Sequence, residues 1–437
     1  MASTAQTHLL DKLPGGNAKA RRAVEHTVSS SEAPISSHEH RVALFNLKYS
    51  QNLGDGVIAM CLEQELVRNG FSPVSIDLAG RKNFKKAAAH FRRRMILALL
   101  ERLPDTLRAL FVPKAIWLVV RFKYASQWRE QLSSCEASII GGGALIADTD
   151  QNFPIKLSRA LNLLAETNLP VAIAHVGVTG GWSEQGHERF CRAFNSANMQ
   201  LVTVREPFSI GTWEQEFPEL LCPKPTVALD PGILSRDCFG IGEGRSRKAR
   251  PVVGICITHP MVLRLHGDGN HNSETLAAWF RRLSANLAGR GCDIELFHNG
   301  SAEDEDFLQR VINVDWLGQK VTRAPLFETP DDLARYISTL DCVVGHRLHA
   351  CIVAYSYCIP AIGLSWDQKV ESFFRITQRE KFVRDWQSAS PFELVDLVMT
   401  AISEGVDPDR HRLITQECRT SIEIMAMTLR ASIRAAA

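Results

Sequence analysis

The sequence predicts an α/β protein built from two doubly wound parallel sheets that face each other across a cleft. Three observations predict it. From residue 41, short β-rich apolar runs alternate with helical segments, the pattern of strand–crossover–strand units. Between Leu234 and Pro251 the alternation gives way to Gly, Ser, Arg and Lys, and it then restarts. The glycine-rich and charged motifs fall just after strand candidates, where ligands collect in such sheets.

Residues 1–40 are polar and rich in Ser, Ala and His, without the apolar stretch of a secretory signal, and are expected to be a disordered tail. Arg41–Leu47 reads as a strand, followed by a loop from Lys48 to Asp55 and a helix from about Gly56 to Asn69. Pro73–Leu78, Ala137–Gly141, Val171–Val178, Leu201–Arg205 and Thr226–Leu229 complete the strands of a first unit, residues 41–240. After the linker, a second unit (251–385) holds strands at Val252–Thr258, Asp293–Phe297, Cys342–Gly345 and Ala361–Ser365. Its helices lie near Glu274–Gly289, from Glu303 and from Pro330. Residues 386–437 read as C-terminal helices.

The chain has 437 residues, 45% hydrophobic and 22% charged, an ordinary globular balance for two or three core units. A net charge of +2 gives no argument for a nucleic-acid partner. None of the 11 cysteines forms a Cys-x-x-Cys pair, and several lie in apolar runs. They are expected to be reduced and buried, as in a cytoplasmic protein, not paired or zinc-bound. No apolar run reaches the roughly 20 residues of a membrane span; the best, Ala109 to Val120, is broken by Pro113 and Lys114. One insert, residues 81–130, differs from its surroundings. Arg81 to Arg94 carries seven Lys/Arg and no acid, and apolar Met95–Leu100 and Ala109–Val120 follow. Two readings stand: a solvated helix packing on the domain, or peripheral contact through residues 81–120 with the inner face of a membrane.

Asn52-Leu53-Gly54-Asp55-Gly56 follows the first strand. Its glycines let backbone approach a ligand, and Asp55 either caps the helix or orients a sugar hydroxyl. Gly141-Gly142-Gly143 is a tight turn that offers N–H groups. Arg205 ends a strand, where it binds an anion or pairs with Glu206. Asp230-Pro231-Gly232 reads as a turn without chemistry.

The strongest signal is Gly345-His346-Arg347-Leu348-His349, between an apolar strand and an apolar helix. A guanidinium and imidazoles meet a helix N-terminus, which already favours an anion. His346 is read as a structural histidine of the turn. Arg347 and His349 have little structural use there. Lys369 opens another helix against its dipole, which suggests an anionic partner. No further ligands with metal spacing accompany these histidines.

Taken together, these motifs resemble the polysaccharide pyruvyl transferase family over most of residues 41–385. The resemblance rests on Asn52, Gly54 and Asp55, on Gly141–Gly143, and on Arg205-Glu206 with Ser209 and Asp230-Pro231. It is most specific over Val343 to Ala350, with Gly363, Asp367 and Lys369. It implies a fold similar to B-type glycosyltransferases. It also implies transfer of the pyruvyl group of phosphoenolpyruvate to two sugar hydroxyls of a polysaccharide or its lipid-linked precursor, giving a ketal and phosphate. In those terms Arg205, Arg347 and Lys369 hold the donor, and His349 protonates its methylene carbon. Asp55 handles the acceptor beside Asn52, Gly54, Gly142 and Gly143. No cofactor or metal is required beyond the co-substrate phosphoenolpyruvate. The tail and the basic insert are longer than the family core needs, and His346 stands where a small or apolar residue is expected. A nucleotide-sugar glycosyltransferase of the same fold and a non-catalytic scaffold in polysaccharide assembly are the alternatives.

Overall fold

The computed structural model describes residues 40–84, 104–220, 223–242, 250–260, 263, 273–312 and 320–436. Residues 1–39 of the expected tail, the basic insert between residues 85 and 103, and residues 243–249 of the linker lie outside the described residues, while His40, placed in the tail by composition, opens the first strand.

Two six-stranded parallel sheets form the frame. The first comprises β1 (His40–Asn46), β2 (Phe71–Asp77), β3 (Ala137–Gly141), β4 (Pro170–Val176), β5 (Asn198–Val204) and β6 (Thr226–Val227), in the order β2-β1-β3-β4-β5-β6. The second comprises β7 (Val252–Cys256), β8 (Asp293–Phe297), β9 (Val321–Arg323), β10 (Cys342–Gly345), β11 (Ala361–Ser365) and β12 (Val383–Asp385), in the order β12-β11-β10-β7-β8-β9. Parallel strands need crossovers, and the helices supply them. In the first unit these are α1 (Leu53–Arg68), α2 (Asp105–Val119, running into a π-helical turn at Val120–Tyr124), α3 (Ala125–Leu132), α4 (Asn152–Thr167), α5 (Glu184–Ser196), α6 (Phe208–Glu216) and α7 (Ser235–Phe239). In the second they are α8 (Ser273–Gly289), α9 (Ala302–Ile312), α10 (Pro330–Ile337), α11 (Leu348–Ser356), α12 (Gln368–Ile376) and α13 (Pro391–Glu404).

Side-chain alternation along β1 shows why the sheet is buried on both faces. Val42 and Leu44 enter one apolar cluster, while Ala43 and Phe45 enter another on the opposite side. Strand order reverses between β1 and β3 in the first sheet and between β7 and β10 in the second. Those reversals open crevices at the carboxyl ends of the strands. The loops after β1, β3, β7 and β10 therefore meet the cleft.

Three expectations need correction. The first helix begins at Leu53, not Gly56, so Asp55 lies inside its first turn and Asn52 takes the cap position. The Leu53 N–H donates to the Asn299 carbonyl across the cleft (2.7 Å), which satisfies a helix-end donor and draws the helix start forward. The strand expected to run to Val178 stops at Val176, because His175 takes a left-handed φ of 54° and the pairing with β5 slips there. The linker is shorter than composition suggested. Pro231–Leu234 is a 3-10 turn capped by Asp230, α7 follows, and Leu234 and Phe239 are buried.

The last helix, α14 (Pro408–Ala436), does not stay with the second sheet. Its buried stripe of Ile414, Cys418, Ile422, Met425, Ala426, Leu429 and Ile433 packs against β4, β5 and α1. Ser432 Oγ donates to Gln200 Oε1 (2.8 Å), and the Arg430 guanidinium lies 5.2 Å from the Phe71 ring centroid. Leu429→Ala should therefore destabilise the first unit by about 2–5 kcal/mol, whereas Leu413→Ala, on the exposed side, should stay within about 0.5 kcal/mol. Denaturant unfolding of the two variants checks this; equal midpoints would mean that α14 is only loosely attached.

Candidate functional site

Each site residue arrives on a strand end or a helix start. Arg205 directly follows β5, Asp230 caps the 3-10 turn after β6, and Asp55 sits in the first turn of α1. From the other sheet, Arg347 takes the N-cap position of α11 and His349 its first turn. Lys369 lies in the first turn of α12, whose cap is Asp367; the Asp367 carboxylate accepts from the Lys369 N–H at 2.9 Å.

These groups converge. His349 Nε2 lies 3.4 Å from Arg205 Nη1 and 4.0 Å from Asp230 Oδ2. On its other side the ring packs against α1 at Gly54, where a Cβ would stand 2.5 Å from Nδ1. Only glycine allows this approach of helix to imidazole. Asn52 Nδ2 reaches Asp55 Oδ1 at 3.4 Å. Gly142 and Gly143 have φ of 79° and 76°, and a Cβ on Gly143 would stand 3.7 Å from Asp55 Oδ1, so the triple-glycine turn lies against the same carboxylate. A small open crevice adjoins the cluster. Arg205, Glu206, Asp230 and Lys369 line its polar side, and Leu229, Leu348, Ile352 and Phe373 are among its apolar lining.

Both guanidiniums are held by carboxylates. Arg205 Nε donates to Glu206 Oε2 (2.7 Å) and its Nη1 to Asp230 Oδ2 (3.2 Å), so the ion pair that competes with anion binding in the sequence is formed. Arg347 donates through Nε (3.0 Å) and Nη2 (2.6 Å) to Asp304 Oδ2, and Asp304 Oδ1 accepts from the His259 N–H (2.8 Å). Asp304 is fully buried, so it fixes the Nε edge of Arg347 and leaves Nη1 as the remaining donor group. Lys369 Nζ is 3.7 Å from Asp367 Oδ2, an internal anionic partner for that cation.

Burial sets the protonation states. It works against charge on both arginines, and the carboxylates beside them more than offset it, Glu206 and Asp230 for Arg205 and Asp304 for Arg347. Burial raises the Asp55 carboxyl above its usual range, with His349 opposing. It lowers His349 despite Asp230 and Asp55 nearby, and it lowers Lys369 despite Asp367. Burial also raises Glu206, against Arg205. Asp55 and His349 are thus shifted toward each other, which eases proton exchange between them.

The structure joins Asp55, Arg205, Arg347, His349 and Lys369 with the loop residues Asn52, Gly54, Gly142 and Gly143. It adds two groups that sequence reasoning passed over. Asp230, read as a turn without chemistry, faces both Arg205 and His349. Asp304 lies in an acidic first helical turn that resembles a solvated face. Its signal was its position: with Phe307, Leu308 and Val311 it shares the buried stripe of α9. His346 takes no part in the cluster. It is fully buried, with the rings of Phe280 and Trp386 5.7 and 5.6 Å away, and its carbonyl accepts from Trp366 Nε1 at 2.9 Å.

Among the described residues, one group has donor atoms close enough for a metal: His187, Cys191 and Glu219. His187 Nε2 is already 2.8 Å from the Glu216 carbonyl. Burial, with Glu219 beside it, pushes the Cys191 thiol up to about 12, which keeps it protonated and a poor ligand.

Comparison with curated proteins gives no match. Among solved structures, UDP-N-acetylglucosamine 2-epimerase from Rickettsia bellii is similar at 12% identity, covering 90% of this chain and 97% of its own, with a TM-score of 0.53. The glycosyltransferase SnogD from Streptomyces nogalater is similar at 13% identity, covering 91% of this chain and 100% of its own, with a TM-score of 0.49. At these identities likeness concerns the fold alone, and the fold shared with the epimerase is that of two Rossmann-like units with parallel sheets. The family model for polysaccharide pyruvyl transferase matches residues 52–368, from the Asn-x-Gly-Asp loop through the Arg-x-His element to the start of α12, and the chain belongs to that transferase family.

Proposed function

We propose that the protein moves the pyruvyl group of phosphoenolpyruvate onto two hydroxyls of a sugar in a polysaccharide or its lipid-linked precursor. The observation that carries this reading is the contact of His349 with Arg205 on one side and with the α1 start beside Asp55 on the other. A small trianionic donor needs fixed cations and an acid within reach of its methylene carbon. Arg347 Nη1 and Arg205 take its carboxylate and phosphate, with Lys369 as a third cation. The clamped guanidiniums need no reorganisation on binding.

Protons balance across the reaction. The first hydroxyl adds at C2, and its proton ends on C3. Phosphate then leaves with its bonding pair, giving an oxocarbenium-like carbon. The second hydroxyl closes the ring, and its proton ends on phosphate. Asp55 takes the hydroxyl proton and His349 delivers one to C3, a division that their opposed shifts favour. No metal or cofactor is assigned a role.

His349→Ala should leave donor binding largely intact and lower turnover by about two to four orders of magnitude. An unchanged rate would remove His349 from the chemistry. Arg347→Ala should instead raise the donor requirement sharply. Asp304→Asn should follow it in part, since Arg347 would lose its clamp while every group at the reacting carbon stays; a fall in kcat alone would contradict that role.

The pH dependence has a definite sign. Burial holds His349 below its ordinary range, so it is neutral in the free protein near pH 7. A bound polyanion favours the imidazolium, so donor binding takes up a proton. The donor KM should rise as pH increases through neutrality, and His349→Gln should flatten that rise. Thermal shift with phosphoenolpyruvate against UDP-sugars separates this reading from nucleotide-sugar transfer, and the mass gain of a ketal-linked pyruvate on a glycan tests the product.

A further inference from the structure

Helix α2 is apolar on nearly every side, yet it is not buried. Leu110, Phe111, Trp117, Leu118, Val119 and Phe122 are between 41% and 70% exposed. Residues 110, 111, 114, 117, 118, 121 and 122 follow helical spacing along one flank, so Lys114 and Arg121 interleave with the large apolar side chains. The Arg121 guanidinium lies 5.3 Å from the Trp117 ring centroid and 5.7 Å from that of Phe122. Lys114, Arg121 and Lys123 are all exposed. The one acid of this stretch, Asp105, is at its far start. A helix hydrophobic all round belongs inside a core or against an apolar medium, and this one has neither among the described residues.

We infer that this flank docks on an anionic phospholipid surface, lying in the interface with its aromatic rings among the acyl chains and its cations at the headgroups. Charge selects that occupant. Three exposed cations, in a stretch whose sequence holds no acid from Thr106 to Tyr124, suit negative lipid. A second copy would instead bring Lys114, Arg121 and Lys123 against themselves across a two-fold axis. The helix lies on the surface and does not span it: no helix among the described residues is long and apolar enough to cross a membrane.

The position of α2 gives the contact a purpose. Near its start, Arg108 Nε donates to Asp150 Oδ2 (2.9 Å), beyond the triple-glycine turn that follows β3. After its end, the Tyr124 ring packs on Gly80, just past β2. Asp77, at the end of β2, accepts from the Tyr49 N–H (3.2 Å), in the loop that leads to Asn52 and Asp55. Both ends of the helix are thus tied to loops at the carboxyl edge of the first sheet, on the acceptor side. Docking turns that side toward the bilayer, where a lipid-linked glycan is presented. This last consequence rests on the pyruvyl-transfer reading; the lipid contact does not.

Sedimentation of the full chain with vesicles tests the contact without donor or acceptor. Vesicles of phosphatidylcholine alone should carry little protein, and vesicles of equal parts phosphatidylcholine and phosphatidylglycerol should carry most of it. Phe111→Ser with Phe122→Ser should weaken partition by roughly tenfold or more. Lys114→Glu with Lys123→Glu should weaken it on the anionic vesicles only, and the wild-type difference between vesicles should shrink with salt. Wild-type protein that stays in the supernatant with both vesicles would overturn the proposal. So would variants that bind as well as wild type, or a wild-type dimer that the Phe111→Ser, Phe122→Ser protein no longer forms in the absence of lipid.

Discussion

The arrangement depends on two guanidinium groups held in place by buried carboxylates. Arg205 and Arg347 reach the cleft from different sheets, and their charges are matched by Glu206 and Asp230 on one side and by Asp304 on the other. Removing one partner of a buried pair leaves an uncompensated charge and costs about 3–5 kcal/mol. The clamps therefore serve position more than stability. They spend some of each arginine's donor capacity to fix where the rest of it points, and His349 takes its place from the result. Its imidazole stands between Arg205 and the backbone of Gly54, and a side chain at residue 54 would force the two halves apart.

The frame was legible in the sequence because parallel sheets announce themselves. Val42 to Phe45 and Cys342 to Val344 are apolar without alternation, and glycine or charge follows at the point where the strand must stop. The candidate cluster was legible for the same reason: Arg347, His349, Arg205 and Lys369 stand at strand ends, where charge has no packing use. The missed features are those that tertiary contacts decide. Asp304 looked like one acid among several in a first helical turn, and only the burial of its face separates it from Glu303 and Asp306. Asp230 does act as the cap that its motif implies, through Oδ1 to the Gly232 N–H (2.9 Å), but its second oxygen serves Arg205. A sequence shows one role for a side chain more readily than two. The start of α1 was misplaced because Leu53 finds its hydrogen-bond acceptor at Asn299, in the other half of the chain.

Two kinds of environment sit close together in this fold. The cleft is polar, and its charges are neutralised from within. Helix α2, tethered at the same sheet edge, is apolar on its exposed flank, with Lys114 and Arg121 exposed among the large side chains. The first suits a small polyanion whose binding replaces water; the second suits an extended surface of opposite sign. The loops that position Asp55 and the loops that tether α2 leave the same sheet edge, which is why the proposed acceptor site and the proposed lipid contact fall on one side of the first sheet.

The return of α14 to the first sheet bears on how the protein is made. Arg430 closes on the carbonyl of Asn69, 361 residues earlier in the chain. At about 5–20 residues per second, a ribosome needs on the order of tens of seconds to supply that distance. Throughout that interval the apolar flank that will receive Ile422, Met425 and Leu429 has emerged without its cover. The first half must therefore wait, partly open, for α14, which makes it a natural client for a chaperone during synthesis.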